Sequence, residues 1–280
     1  MSEVVVVGPA SWNTLVRLPA LPRPEPHTVF AQGYGDTVGG TSAGKALHLH
    51  DLGRDVLLHT VLGTDDAADR IRAALEGAGV PLRAAVVAGP SERHLNLMDP
   101  DGGRVSVYLD LPSPPTGPDA SVVAAVADAR AVVLDLAGLS LPFLPAAVGR
   151  SVWTDLHDYD GEAAFHRPFL AAAAHVFMNA DGMPQPLDFM HATVDGGARV
   201  VVCTLGADGA MAVDADHVVH RVTATPVPEV VDTNGAGDAF LAGFLHATLD
   251  GAEVPGALEA AARQAARALG SRHLSPSLDS

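Results

Sequence analysis

Short, largely apolar runs that alternate with stretches of helical spacing constrain the fold of this chain more than any other feature. Val4 to Val7, Val56 to Val61, Ala131 to Leu136, Val152 to Leu156, Val176 to Met178 and Arg199 to Thr204 read as strands. A run such as Val4-Val5-Val6-Val7 has no polar alternation, so it suits a strand covered on both faces. Between the runs, apolar periodicity predicts helices that end at Leu52 before Gly53, over Asp66 to Glu76, over Ser121 to Ala129, over Pro142 to Gly149, over Glu162 to Ala174 and over Leu187 to Val194. Strand and helix in repeated alternation imply an α/β fold with a largely parallel sheet and helices on both faces. A length of 280 residues suits one such domain with a small appendage. The 5% aromatic content, with abundant alanine, valine and glycine, fits helices packed closely on a sheet.

Three regions break the alternation. Leu15 to Phe30 contains Pro19, Pro22, Pro24 and Pro26, which confines it to edge strand or loop. Arg93 to Met98 and Arg104 to Leu109 flank Asp99-Pro100-Asp101-Gly102-Gly103 as a hairpin, with Leu95 and Leu97 on its packed face. His94, Asn96 and Met98 take the other face, which is either solvated or covers a ligand. Leu111 to Pro118 is a stiff proline-rich connector, and Asp214-Ala215-Asp216 separates Ala210 to Val213 from His217 to Val222 as a second hairpin. Pro255 to Leu269 reads as a surface helix, followed by a tail from Ser271 to Ser280.

Open α/β sheets bind ligands beyond the carboxyl ends of their strands. That rule selects Asp135, Asp155 with His157-Asp158, Asn179 with Asp181, and Thr204 with Gly206. His157, Asp158 and Asp160 lack a spacing that closes a metal site, so a solvated acidic loop is expected there. After the apolar run Val227 to Val231, the stretch Asp232-Thr233-Asn234-Gly235-Ala236-Gly237-Asp238 opens a helix that continues through Leu245. The free N–H groups of Gly235, Ala236 and Gly237 would carry the partial positive charge of a helix N-terminus and hold an anion such as a phosphoryl group. Asp238, in the same turn, is either an ordinary dipole-favoured carboxylate or a base beside that group. Gly39-x4-Gly44-Lys45 copies a phosphate-binding P-loop, but Ala46 replaces its magnesium-ligating Ser or Thr and no good buried strand precedes it. Lys45 is the only lysine, as expected where arginine is used throughout.

The formal net charge of −16 and the absence of clustered Lys and Arg exclude a nucleic-acid partner. An anionic substrate then needs backbone amides, arginine or a metal ion. Cys203, the single cysteine, lies in an apolar run and excludes an intrachain disulfide framework. No basic leader precedes Val4, and no stretch approaches the roughly 20 apolar residues of a membrane span, so a soluble cytoplasmic protein is expected.

Asp232 to Phe240, with Gly243-Phe244, closely resembles the C-terminal signature of the ribokinase-like (pfkB) sugar and nucleoside kinases. Gly39-Gly40 with Ala46 and Leu52-Gly53 is similar to the family's N-terminal signature; Asn179 and Thr204-Leu205-Gly206-Ala207-Asp208-Gly209 match its nucleotide-binding positions. The resemblance covers nearly the whole chain. It implies a ribokinase-like domain spanning 1–280, in which a small β lid of about 13–38 and 93–109 is inserted in the α/β core. Such a protein transfers the γ-phosphoryl group of ATP to a hydroxyl of a small carbohydrate or nucleoside. Asp238 would be the base and the Gly235, Ala236 and Gly237 amides the anion hole. Asn179, Thr204, Gly206 and Gly209 would meet ATP and its Mg²⁺ shell, while Asp232 and Asn234 would lie at a monovalent-cation (K⁺) site. Asn13, Asp36, Gly39, Gly40, Gly44, His94 and Asn96 fall on the acceptor side. A homodimer through the lid is a further expectation.

Three departures touch substrate or metal handling. Asn13 stands where the family usually has an Asp that holds two sugar hydroxyls, Gly44 replaces an Asn, and Gly182 replaces an acidic residue beside Asp181. Asp36, just before Gly39-Gly40, is expected to supply the missing carboxylate. A catalytically weak sugar- or nucleoside-binding regulatory protein on the same fold is the alternative, and a P-loop NTPase built on Lys45 comes third.

Overall fold

The computed structural model of the chain describes residues 2–100, 102–183 and 185–278. Its larger sheet has nine strands. They are β1 (Val4–Val7), β4 (Val56–Leu62), β5 (Leu82–Val86), β8 (Ala131–Leu134), β9 (Ser151–Asp155), β10 (His175–Asn179), β11 (Val200–Thr204), β12 (Ala210–Asp214) and β13 (Val219–Val222), in the order β13-β12-β11-β10-β9-β8-β1-β4-β5. Every pairing from β11 to β5 is parallel, and only the β11-β12 and β12-β13 pairings are antiparallel.

Both faces of this sheet are covered, which is why its central strands are uniformly apolar. Val4 and Val6 point into one core with Leu47, Leu58, Phe240, Phe244 and Leu258. Val5 and Val7 point into another with Val126, Leu134, Phe169 and Met190. The first core holds α1 (Thr41–Asp51), α2 (Asp66–Gly77), α6 (Ala236–Leu249) and α7 (Val254–Leu269); the second holds α3 (Ala120–Asp128), α4 (Arg167–Ala172) and α5 (Pro186–Asp195).

The smaller sheet has four strands, β3 (Gly33–Gly39), β2 (Ser11–Arg17), β6 (Arg93–Met98) and β7 (Arg104–Asp110), paired in that order. This separate small sheet lies in the segments expected for a lid, starting at Ser11 and ending at Gly39 in the first and running from Arg93 to Asp110 in the second. The hairpin joins β6 to β7 with His94 opposite Tyr108 and Asn96 opposite Ser106; Asp101 of its turn lies outside the described residues.

Some local expectations differ from the fold. Leu141–Ala147 forms a 3-10 segment instead of an α-helix, because Pro142 and Pro145 remove backbone donors. The helix expected over Glu162 to Ala174 contracts to α4, after a 3-10 turn at Ala164–His166 and with Pro168 in its first turn. β5 carries no continuous apolar run because it is a half-buried edge strand. The apolar run Val227 to Val231 forms no strand. α7 is more than a surface helix: it packs along α6 and buries Ala257, Leu258, Ala261 and Ala262. Among the described residues, no helix is long and apolar enough to cross a membrane.

The α6–α7 contact is set by Gly243. A Cβ there would meet Ala260 O, Ala261 Cα and Gln264 Cβ at 2.9 Å each. Gly243→Val should therefore lower the unfolding free energy by about 1–3 kcal/mol, the usual cost of overpacking. The check is the urea midpoint, and an unchanged value would refute close helix contact as the reason for this glycine.

Candidate active site

The strands of the large sheet deliver their carboxyl ends, and the lid its inner face, to one cleft of about 1440 Å³. That volume exceeds the roughly 300–1,000 Å³ of a typical small-molecule site.

The start of α6 forms the floor. Gly235 is the N-cap in the left-handed region (φ 81°), and no side chain caps the helix. A Cβ at Gly235 would also come 2.9 Å from Leu274 O, so conformation and space both require glycine. The uncapped first turn faces the cleft with Gly235, Ala236, Gly237 and Asp238, an arrangement suited to an anion.

Asp238 sits above a buried charge cluster. The Lys45 Nζ lies 2.8 Å from Asp238 Oδ1, 3.1 Å from Asp135 Oδ1 and 3.2 Å from Asp155 Oδ2, and its side chain is wholly buried. Burial pushes the Asp238 carboxyl up to about 6, against the opposing pull of Lys45. Burial acts on Asp155 in the same sense, but His157 and Lys45 overcome it and draw that carboxyl down to about 2. For Lys45, burial disfavours the ammonium, yet the combined attraction of Asp135, Asp238 and Asp155 raises its pKa above the ordinary value. Asp135 is anchored separately by Ser42, whose Oγ donates at 2.5 Å.

Lys45 was the residue most misjudged by sequence. The doubt about a P-loop is supported, because the side chain turns inward under the cleft, but its pairing with three carboxylates was not foreseen. Its rarity was the available signal. Gly44, next to it, allows the approach of Asp238, since a Cβ at Gly44 would lie 2.6 Å from Asp238 Oδ2.

Asn179, Thr204, Gly206 and Gly209 gather at one end of the cleft with Asp181 and with Ala262, Ala265 and Leu269 of α7. Asn179 Oδ1 accepts the Asp181 N–H at 3.0 Å, which orients the loop after β10. Gly182 has no room for a side chain, since a Cβ would lie 2.2 Å from Asp158 O. Asp160 accepts the N–H groups of Glu162 and Ala163, in keeping with a local loop role. Among the described residues, no group of three or more His, Cys, Asp or Glu could hold a metal ion.

The lid's inner face forms the opposite end. Strand alternation places Asn13, Arg17, His94, Asn96, Met98, Arg104 and Tyr108 on one side of the small sheet, and all line the cleft. The polar face of β6 is therefore the buried one, while Leu95 and Leu97 are only half-buried on the outside. His94 Nε2 lies 2.9 Å from Glu92 Oε1, and its ring meets Tyr108 with centroids 4.0 Å apart. Asn96 Oδ1 is buried and has no hydrogen-bond partner among the described residues. Asn13 Oδ1 accepts the Ser11 hydroxyl at 2.7 Å, and the missing Cβ of Gly39 leaves room for its amide. Gly40, between β3 and α1, also lines the cleft.

One acceptor expectation is corrected here. Asp36 is paired with Thr14 on the outer face, where it accepts the Thr14 hydroxyl at 2.7 Å and lies 3.9 Å from Arg70, so it does not line the cleft. Asp232 and Asn234, expected at a monovalent-cation site, are both engaged by lid arginines. Arg17 donates to Asp232 Oδ2 at 3.3 Å, Asp232 Oδ1 takes the Asn234 N–H, and Arg104 donates to Asn234 Oδ1 at 3.1 Å. Neither these arginines nor Glu92 and Tyr108 stood out in the sequence, although continuing the hairpin register from His94 leads to Tyr108.

The geometry agrees with comparisons to known proteins. The profile of the pfkB family carbohydrate kinases matches residues 173–280. An acarbose 7(IV)-phosphotransferase of Actinoplanes sp. is 34% identical over 261 residues, covering 89% of this chain and 86% of the relative. An ATP-dependent ribose-1-phosphate kinase of Halopiger xanaduensis is 30% identical, covering 92% of this chain and 89% of the relative. Among solved structures, a microbiome-derived acarbose kinase is 33% identical with a TM-score of 0.85, covering 97% of this chain and 93% of that one. The ribokinase of Arabidopsis thaliana, at 23% identity and a TM-score of 0.80 over 99% and 95% of the two chains, shares the fold. The chain therefore belongs to the pfkB family of ribokinase-like carbohydrate kinases and is a phosphotransferase with an alcohol group as acceptor.

Proposed function

We propose that this protein transfers the γ-phosphoryl group of ATP to a hydroxyl of a small carbohydrate, with Asp238 as the base. The observation that carries this reading is the buried Asp238 carboxylate in the first turn of an uncapped helix, between a loop-lined end of the cleft and a polar lid. Asp238 takes the hydroxyl proton as the acceptor oxygen bonds to the γ-phosphorus. The bond from that phosphorus to the β,γ-bridging oxygen breaks, and its electron pair leaves with ADP. The amides of Gly235, Ala236 and Gly237 stabilise the charge on the transferring group. Asn179, Thr204, Gly206 and Gly209 hold the nucleotide against α7.

Mg²⁺ fits the oxygen-rich nucleotide end, where Asp181 and the Asn179 side chain would face its shell; when bound, it neutralises phosphate charge. Asp232 and Asn234, engaged by arginines, do not fit K⁺.

Glu92 is the carboxylate that replaces the absent hydroxyl-binding Asp. It is 7% exposed, is held by His94 and lines the acceptor end with Asn13 and the unpartnered Asn96 carbonyl. Buried acceptors of this kind read substrate hydroxyls, because an analogue without the donor leaves them unpaired. The acarbose-phosphorylating relatives favour a carbohydrate over a nucleoside.

The lid also supports a homodimer. α2 covers the Trp12 side of its outer face, where Arg70 lies 5.6 Å above the ring. Val105, Val107 and Leu109 on edge strand β7 stay exposed, a row that a second copy of the chain would cover.

Four measurements test these assignments. Asp238→Asn should lower kcat by at least about a hundredfold with ATP affinity retained, as for loss of a general base. In the wild type, kcat/KM should fall as pH drops through about 6, since the protonated carboxyl cannot accept the proton. Normal turnover in the variant, assayed as ADP release with acarbose, D-ribose and adenosine, would reject the assignment. Glu92→Gln should raise the acceptor KM by about tenfold or more, the loss of a charge-assisted hydrogen bond, while the ATP KM stays constant. By sedimentation, the wild type should be a dimer and Val107→Asp a monomer; a monomeric wild type would remove the lid interface.

A further inference from the structure

Resting on the reading of Asp238 as the base, we propose that Lys45 is a positioning residue of the transfer reaction: from beneath the cleft floor it aims the Asp238 carboxylate and keeps it anionic beside two further carboxylates. Its ammonium hydrogen-bonds to Asp238 at the start of α6 and forms ion pairs with Asp155 at the end of β9 and Asp135 in the turn after β8. It is wholly buried, so it touches neither nucleotide nor acceptor. Among the described residues, it is the only side chain that hydrogen-bonds to Asp238.

The adjacent glycine completes the device. Lys45 holds Asp238 Oδ1, while the missing side chain of Gly44 leaves space at Oδ2. One oxygen is fixed and the other stays free for a hydroxyl proton. Asp135 is held independently by Ser42, so the lysine is anchored at a point that does not move with the base.

The cluster also settles which carboxylates are charged. Asp135, Asp155 and Asp238 share one desolvated site, where mutual repulsion and burial favour protonation. The other titratable group against the cluster is His157, whose Nδ1 lies 3.6 Å from Asp155 Oδ2 and helps that carboxylate alone. Without the Lys45 charge, the first proton would go to Asp238, the member that burial already raises. The base would then be neutral at pH 7.

The test compares wild type with Lys45→Met and Lys45→Gln in the full chain. The Asp238 carboxyl carbon is followed by ¹³C NMR in protein labelled at aspartate and assigned through Asp238→Asn. The midpoint should rise by about 1–3 pH units in both variants, the size of effect expected when an opposite charge is lost at contact distance. The acid limb of kcat/KM, measured with acarbose, should move with it, so the deficit is large at low pH and shrinks as pH rises. An unmoved midpoint, or a deficit equal at every pH, overturns the proposal. If neither variant folds, the wild-type Lys45 Nζ shift decides: it must report the Asp238 titration with the same midpoint, and silence overturns the proposal. The NMR readouts need no acceptor, so absence of turnover would count against the kinase reading while the role of Lys45 is still decided.

Discussion

One buried ammonium group joins the parts of this protein that must meet for chemistry to occur. Lys45 projects from α1 and ties together the end of β9, the turn after β8 and the first turn of α6. An unpaired charge in such a place would cost several kcal/mol, but here each charged partner is within hydrogen-bonding distance of an opposite charge. The arrangement is also specific. Removing the lysine would leave three carboxylates buried and uncompensated, so its charge holds the carboxyl edge of the sheet and the N-terminus of α6 in one relation.

The rest of the cleft follows from where positive charge is available. The chain is strongly acidic, with a formal net charge of −16 and only 17 Lys and Arg residues against 33 Asp and Glu. Backbone amides at the start of α6 supply part of the need, since a helix N-terminus carries partial positive charge. Arg17 and Arg104 add to it from the lid, through Asp232 and Asn234 of the loop that leads into α6. These contacts connect the small sheet to the transfer loop. The lid therefore contributes charge and polar hydrogen-bonding groups as well as cover.

Expectation and structure part company where a side chain's direction depends on distant packing. In the lid, a hydrophobic-in rule would bury Leu95 and Leu97, yet His94 and Asn96 are buried because they face a ligand cleft instead of a core. The same alternation sends Asp36 outward and brings in Glu92, just ahead of the strand. Proline explains the helices that came out shorter, at Leu141–Ala147 and at α4.

Local chemistry was enough for the sequence alone to determine the parallel α/β core, the hairpin of β6 and β7 and the Asp232–Asp238 turn, while the lid as a whole was implied by the family resemblance. Uniform apolar runs, strand alternation and glycines ahead of a helix each act within a few residues. Only the tertiary structure decided the pairing of Lys45 with three carboxylates, the engagement of Asp232 and Asn234 by arginines, and the placement of Glu92 in the cleft. Each of these depends on groups far apart in the chain, Lys45 and Asp238 or Arg17 and Asp232, whose charges interact strongly only because folding removes them from water and brings them within hydrogen-bonding distance.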